Sequence, residues 1–171
     1  MKKQELANWQ CRYRLSKYHE DIEPYRSRED EFHQLFKPYQ VIKGEHNCLL
    51  NSGIDEMWDL ITGAVSGADH IFDNAAAQIG VGDSTTAADA TQTDLQAATN
   101  KTYKGMETSY PTSTSQKATF KASFGSTEAN YIWNEWVVKQ STSGKCLNRK
   151  VEPLGTKTTG TWTLEVSITL S

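Results

Sequence analysis

The stretch GTWTLEVSITLS, residues 160–171, decides the fold class of this chain. Its small and polar residues fall on one parity, and its large apolar residues fall on the other: Trp162, Leu164, Val166, Ile168 and Leu170. Successive side chains of a β-strand point to opposite faces, so this alternation predicts a strand with one buried and one solvent-facing side. We therefore expect a sheet protein whose core is lined by this row, with Phe120 and Phe124 in the same core.

The same alternation occurs in NWQCRYRLSKY, residues 8–18, and predicts a second half-buried strand. Further strands are predicted in YQVIKG, KATFKASF, NYIWNEWVV and CLNRKV. Within NYIWNEWVV the apolar parity changes between Trp133 and Trp136, which predicts a β-bulge at Asn134 and Glu135. We expect the two indole rings to face opposite sides of the sheet.

The main helix is predicted in NSGIDEMWDLITG, residues 51–63, where Gly63 provides the stop signal. Its apolar residues recur at i, i+3, i+4 and i+7, the spacing of one helix face, and they are Ile54, Met57, Trp58 and Ile61. We expect this stripe to face the core. The other four tryptophans lie in alternating strands, so core packing is the preferred interpretation for all five.

A short N-terminal helix is predicted in SREDEFHQLFKP, residues 27–38, with Ser27 as its cap. Taken together, the patterns predict a mainly β fold: a β-sandwich-like domain of about seven or eight strands, with one principal helix and this short one. A length of 171 residues suits one domain spanning residues 1–171. We divide it into an N-terminal strand and docking segment, 1–40, and a β domain, 41–171.

Composition and charge exclude several classes of protein. The 18 Lys and Arg against 21 Asp and Glu give a net charge of -3, so nucleic acid and anionic membranes are not expected partners. No apolar run is long enough to span a bilayer or to form a secretory signal. Three widely spaced cysteines, Cys11, Cys48 and Cys146, predict free thiols in a reducing compartment.

No motif in the sequence predicts catalysis, so we assign no catalytic, cofactor-binding or metal-binding residue. The Gly-rich GVGDSTT, residues 80–86, lacks the lysine of a phosphate-binding loop, and the four histidines have no metal-ligand spacing. Glu128 with Glu135 would be a candidate carboxylate pair for glycoside hydrolysis, and so would Asp55, Glu56 and Asp59. The acids of the helix are better interpreted as charges on its solvent face.

Five sequence blocks, in this order, resemble a widespread family of small virion structural proteins of tailed bacteriophages: NCLLNSGIDEMWDLITG, QIGVGDSTTAADATQTDLQA, YKGMETSYPT, FKASFGSTEANYIWNEWVV and LNRKVEPLGTKTTGTWTLEVSITLS. The resemblance covers roughly residues 41–171. It implies a particle component without catalytic residues, made in the host cytoplasm. We expect a capsid decoration (cement) protein on the outer surface of the head. Its expected partners are the major capsid protein and copies of itself, as a trimer by analogy with other head-decorating proteins.

The alternative hypothesis is a tail or baseplate component that acts as a host-adhesion module. Such a module would bind a host surface glycan through an exposed Trp or Tyr. The segment 84–115 suits this role, because 13 of its 32 residues are Ser or Thr and polar loops on a β scaffold commonly carry recognition. A loop of this length usually carries function or packs on a partner.

The docking segment, residues 20–40, departs from the family pattern. Its short helix is too short to be stable without tertiary packing, so its aromatic and aliphatic side chains must dock on something. We predict a partner interface formed by Tyr25, Phe32, Leu35, Phe36 and Tyr39. The other interpretation, that this segment caps the open end of its own sandwich, stays open.

Overall fold

Two antiparallel five-stranded sheets pack face to face in the computed structural model, which describes residues 8–171. The strands of this part of the chain are β1 (Trp9–Tyr18), β2 (Gln40–Glu45), β3 (Cys48–Leu49), β4 (Ala77–Gly82), β5 (Lys101–Gly105), β6 (Thr112–Thr114), β7 (Lys117–Phe124), β8 (Ile132–Gln140), β9 (Cys146–Thr156) and β10 (Thr161–Leu170). The helices are α1 (Glu29–Leu35), α2 (Asn51–Thr62) and a 3-10 turn (Glu23–Tyr25). The predicted mainly β, sandwich-like fold is confirmed. The strand count exceeds the prediction because β3 and β6 are only two and three residues long.

The strand order places the two ends of the described chain in the middle of one sheet. The first sheet runs β2-β1-β10-β7-β6 and the second runs β3-β9-β8-β4-β5. Strand β10 pairs with β1 along ten residues, from Trp9 opposite Leu170 to Tyr18 opposite Thr161, and with β7 on its other side. The terminal strand is therefore a central strand, not an edge.

The row of apolar side chains on β10 lines the core as predicted. Trp162, Leu164, Val166 and Ile168 are buried in the cluster that also holds Phe120 and Phe124. Leu170 is the exception, since 49% of its surface is exposed at the end of the strand. The partner strand contributes its own predicted row, and Cys11, Tyr13 and Leu15 are buried in the same cluster.

The predicted β-bulge is present in β8, where the pairing with β9 shifts register between Trp133 and Glu135. The prediction that the indoles of Trp133 and Trp136 face opposite sides is wrong, because both are fully buried in the main core cluster. The extra residue of a bulge resets the alternation. Apolar side chains of different parity thus reach the same face.

Helix α2 packs against the start of β9. The face that makes this contact is not the apolar stripe that the sequence predicted. A Cβ on Gly53 would lie 2.6 Å from the Cα of Leu147, so this glycine permits the close approach. Glu56 is also buried, whereas Trp58 and Ile61 are 60% and 73% exposed. Our prediction that this apolar stripe faces the core is therefore wrong for these two residues. The helix does end at Gly63, whose φ of 74° is left-handed.

Helix α1 lies on the polar, outer face of the first sheet. It begins at Glu29 with Arg28 as its N-cap residue, and Ser27 is not the cap that we predicted. Instead the backbone N–H of Ser27 donates to the carboxylate of Glu29. Within residues 8–171 no helix is long and apolar enough to cross a bilayer.

Candidate partner-binding surfaces

The docking segment is anchored to its own sheet by Phe32. This side chain is fully buried in a cluster with Tyr18 and Ile22, apart from the main core. Its ring meets those of Tyr18 and Tyr25 edge to face, with centroids 5.0 and 5.7 Å apart, which is a favoured aromatic geometry. The prediction of Phe32 as an interface residue is wrong, because the outer face of the first sheet already supplies its partner.

The other four predicted interface residues divide into two pairs. Tyr25 and Phe36 are half-buried against the Phe32 cluster, with their rings 5.8 Å apart. Leu35 and Tyr39 point outward and are 58% and 52% exposed. Tyr39 stacks on His19 at 4.2 Å, which fixes its ring. Val41 of β2 is exposed as well, and we name the three exposed side chains Leu35, Tyr39 and Val41 the 35–41 surface.

A buried carboxylate fastens α1 to the sheet beneath it. Glu107 is buried, and its oxygens lie 2.9 Å from His33 Nε2 and 2.9 Å from Lys121 Nζ. The hydroxyl of Ser123 also donates to it. Burial acts to raise the pKa of Glu107, but the hydrogen bond with His33 and the charge of Lys121 outweigh it, so this pKa lies below its usual value.

A second buried carboxylate lies on the outer face of the other sheet. The side chains of Glu135 and Arg149 are both fully buried, and Arg149 Nη2 lies 2.6 Å from Glu135 Oε2. The backbone N–H groups of Gln96 and Ala97 donate to the same carboxylate at 3.0 and 2.7 Å. Its hydrogen-bonding capacity is therefore used by the segment that lies over it.

Arg149 holds the same Ser/Thr-rich segment at two more points. Its guanidinium donates to the side chain of Gln92 at 2.8 Å and to the carbonyl of Thr86 at 2.9 Å. Leu95 is buried beneath the segment with Val137. Much of the region predicted as a loop thus packs on its own sheet, and it contains the short strands β5 and β6.

Three of the carboxylates considered for catalysis, Glu128, Glu135 and Glu56, are each paired with a basic side chain. Glu128 pairs with Arg26 at 3.0 Å and with Lys104. Burial raises its pKa, yet the hydrogen bonds with Lys104 and the Gly125 N–H and the charges of Lys104 and Arg26 together lower it more, so the pKa of Glu128 lies below its usual value. Glu56 lies 2.8 Å from His70. Among residues 8–171, no three His, Cys, Asp or Glu side chains are placed to hold a metal ion.

The three cysteines carry free thiols. Cys11 and Cys146 are buried and Cys48 is half-buried. Burial raises the pKa of Cys11 and of Cys146 to about 12, so both are protonated, unreactive packing groups at neutral pH. This agrees with the sequence-based interpretation.

Two further surfaces carry exposed groups that the sequence did not predict as binding surfaces. The first, which we name the α2 surface, consists of Trp58 and Ile61 with the neighbouring Asp55 and Asp59. The second, which we name the sheet groove, is an open groove of about 550 Å³ on the outer face of the first sheet. Its charged lining residues are Arg12, Arg14, Lys43, Glu45, Lys117 and Glu165.

Comparison with known proteins returns no match: no family model, no curated protein and no solved structure corresponds to this chain. The fold and its surfaces define a β-sandwich protein with an outward-facing apolar segment fixed to a rigid frame.

Proposed function

We propose that this chain is a non-enzymatic structural protein of a bacteriophage virion, and specifically a capsid decoration (cement) protein. It sits on the outer surface of the head, where it bridges subunits of the major capsid protein and copies of itself. The order of sequence blocks that resemble tailed-phage virion proteins supports the phage origin. The 35–41 surface supports a binding role.

The observation that carries the proposal is the contrast between Phe32 and Leu35. Three residues apart, one is fully buried and the other is more than half exposed. The segment is therefore already folded and held by its own sheet before any partner arrives. A binding surface that is ordered in advance loses less conformational entropy on association.

The exposed side chains are of the kind that anchor protein interfaces. Tyr39 offers a large ring with a polar tip, and Leu35 and Val41 add aliphatic area beside it in the sequence. Buried aromatic anchors dominate the binding energy of many interfaces. Because Tyr39 is stacked on His19, its ring needs little further ordering to enter a pocket on the capsid.

The proposal is tested with the variant Leu35→Ser/Tyr39→Ser, assembled into virions in place of the original chain. We expect the free energy of unfolding to change by less than about 1 kcal/mol, since surface substitutions have small effects, while the protein is lost from purified particles. Ile132→Ser removes a comparably exposed apolar side chain elsewhere and should leave particle binding intact.

Copy number separates the head from the tail. Decoration of the head predicts hundreds of copies in each purified virion, measured by quantitative mass spectrometry. A dozen or fewer copies per virion would overturn the capsid assignment. Retention of the double variant at full copy number would overturn the role of the 35–41 surface.

The tail or baseplate adhesion module remains a second proposal, and the exposure of Trp58 favours it. An exposed indole next to Asp55 and Asp59 offers a flat apolar face together with carboxylate hydrogen-bond acceptors, a combination suited to a glycan. Binding of the purified chain to host surface glycans, lost in Trp58→Ala, would support this proposal. Antibody labelling confined to the tail tip would support it too, and absence of binding to host cells would oppose it.

A further inference from the structure

We infer that the α2 surface of one copy of this chain binds the sheet groove of another copy, which joins the protein into a closed oligomer. The two surfaces complement each other in charge and in the type of side chain. This contact rests on the self-association part of the proposed function and specifies its surfaces, but it does not depend on where on a particle the protein resides.

The α2 surface exposes apolar side chains that its own fold does not use. The inner side of the helix is occupied by Gly53 and by Glu56, which is bound to His70. The outer side therefore presents Trp58 and Ile61, separated by three residues and so neighbours on the same face. Large exposed apolar side chains at adjacent positions mark interaction sites more often than isolated ones do.

The charge around this stripe specifies a basic partner. Residues 51–73 contain five Asp and Glu and no Lys or Arg. Asp55 lies three positions before Trp58, on the same side of the helix, and Asp59 is the next residue along the chain. A surface that covers Trp58 must bring cations to these two acids or leave them without compensation.

The sheet groove has the opposite charge. Four of its six charged lining residues are basic. Arg14 lies directly opposite Glu165 on β10 and Lys43 on β2, so it has one opposite charge and one like charge as cross-strand neighbours. Within the described chain, neither Lys43 nor Lys117 takes part in an ion pair, whereas Arg12 pairs with Glu45 at 2.9 Å. The excess positive charge therefore calls for an acidic occupant.

The groove also has room for side chains of the α2 surface. A groove of about 550 Å³ is within the size range of pockets that hold an inserted group. The guanidinium of Arg14 can stack on the indole of Trp58 in a cation–π contact. Lys43 and Lys117 are then available to the two aspartates. Closed symmetric assembly is the usual outcome for copies of one chain.

The experiment measures the mass of the purified chain in solution by sedimentation and light scattering over a range of concentrations. We expect a closed oligomer at low salt whose dissociation constant rises at least tenfold in high salt, because screening weakens contacts between exposed charges. Asp55→Lys/Asp59→Lys and Lys43→Glu/Lys117→Glu should each weaken association by tenfold or more. The control Asp30→Lys reverses one exposed charge on α1, away from both surfaces, and should have no effect.

Mixing the two double variants provides the rescue. The basic helix of the first then meets the acidic groove of the second, so a mixed complex should form where neither variant alone associates. Equal thermal midpoints for the variants show that folding is intact, and a variant that fails this check is replaced by Trp58→Ala.

Three outcomes overturn the inference. They are a monomer at every concentration, an oligomer that neither charge reversal weakens, and a monomer whose Trp58 binds a glycan. None of these results changes the copy number on particles. Failure of this inference is therefore distinguishable from failure of the proposed function.

Discussion

The two outer faces of the sandwich are each covered by a segment of chain that a buried carboxylate holds, but the partners of the two carboxylates differ. On the second sheet, Glu135 pairs with a fully buried arginine and with backbone N–H groups. On the first sheet, Glu107 pairs with His33 and Lys121, which are both partly accessible. An arginine stays charged at any pH at which the protein is folded, whereas histidine does not.

The comparison shows that similar geometry gives two kinds of attachment. The segment over the second sheet is held by the buried network around Arg149, by the ion pair of Asp94 with Lys139, and by buried Leu95. Helix α1 combines the Glu107 network with a separate aromatic cluster around Phe32. We therefore expect the segment over the second sheet to loosen when the Glu135–Arg149 ion pair is broken. We expect α1 to detach from the first sheet in two independent steps.

The largest effect is expected for Arg149→Ala. This change leaves the Glu135 carboxylate buried without its cation, which costs about 3–5 kcal/mol of unfolding free energy. Urea denaturation measures the loss. The double variant Arg149→Met/Glu135→Leu removes both charges and should recover part of the stability, while the backbone N–H groups of Gln96 and Ala97 lose their acceptor. A loss of unfolding free energy below about 1 kcal/mol in the single variant would contradict an ion pair that is shielded from water.

The next effect is expected for Phe32→Ala, at about 3 kcal/mol, since truncating a buried phenylalanine leaves a cavity. Amide hydrogen exchange of α1 should accelerate at the same time. Leu35→Ala, three positions along the same helix, is the matched control and should change stability by less than about 0.5 kcal/mol. Equal effects of the two substitutions would contradict the anchoring role of Phe32.

A smaller and pH-dependent effect is expected for Glu107→Gln, at about 1–2 kcal/mol near pH 7. The pKa of Glu107 in the folded protein lies below its ordinary value of 4.5. Its charged form thus stabilises the fold above that pH, and this contribution is lost as the pH falls below it. The stability difference between the original chain and the variant should therefore narrow in acid. A difference that stays constant from pH 7 to pH 3 would argue against this network.

The smallest effect is expected for Gln92→Ala, at about 1 kcal/mol or less, because it removes one neutral side chain that binds Arg149. The change should be local. Faster amide exchange is expected at Gln96 and Ala97, with no change in α1. Faster amide exchange in both segments would mean that the two attachments are coupled. It would contradict their description as independent.

The buried side chains of the strands were predictable, because side chains alternate between the two faces of a strand and only one face of these strands is apolar. The row from Trp162 to Ile168 is buried and includes no charged residue. For α2 the same reasoning gave the wrong face, since Trp58 and Ile61 point outward while Gly53 and Glu56 point in. Helical spacing identifies an apolar stripe but cannot reveal that a glycine is needed for close packing, or that His70 satisfies a buried acid.

The polar networks were not predictable from local sequence. Glu135 and Arg149 are separated by fourteen residues, and Glu107 and His33 by seventy-four, so nothing in the sequence near one residue indicates the other. The parity change near Trp133 did predict a bulge. Its consequence for Trp136 was misjudged, because an inserted residue restores the original face instead of reversing it. Leu35 and Phe32 were predicted to belong to the same interface. Only the position of the sheet beneath them determines that Phe32 is buried and Leu35 is exposed.

The pairing of β1 with β10 has a mechanical consequence. The backbone groups of Asn8 and Ser171 bond to each other at 2.6 and 3.1 Å, so the two ends of the described chain are adjacent. Because antiparallel hydrogen bonds run perpendicular to the strands, a force that separates these ends loads one bonded pair at a time, as in a zipper. The sandwich should therefore open at low force when pulled through residues 8 and 171. It should resist far more when pulled through points that shear the same ladder along its length.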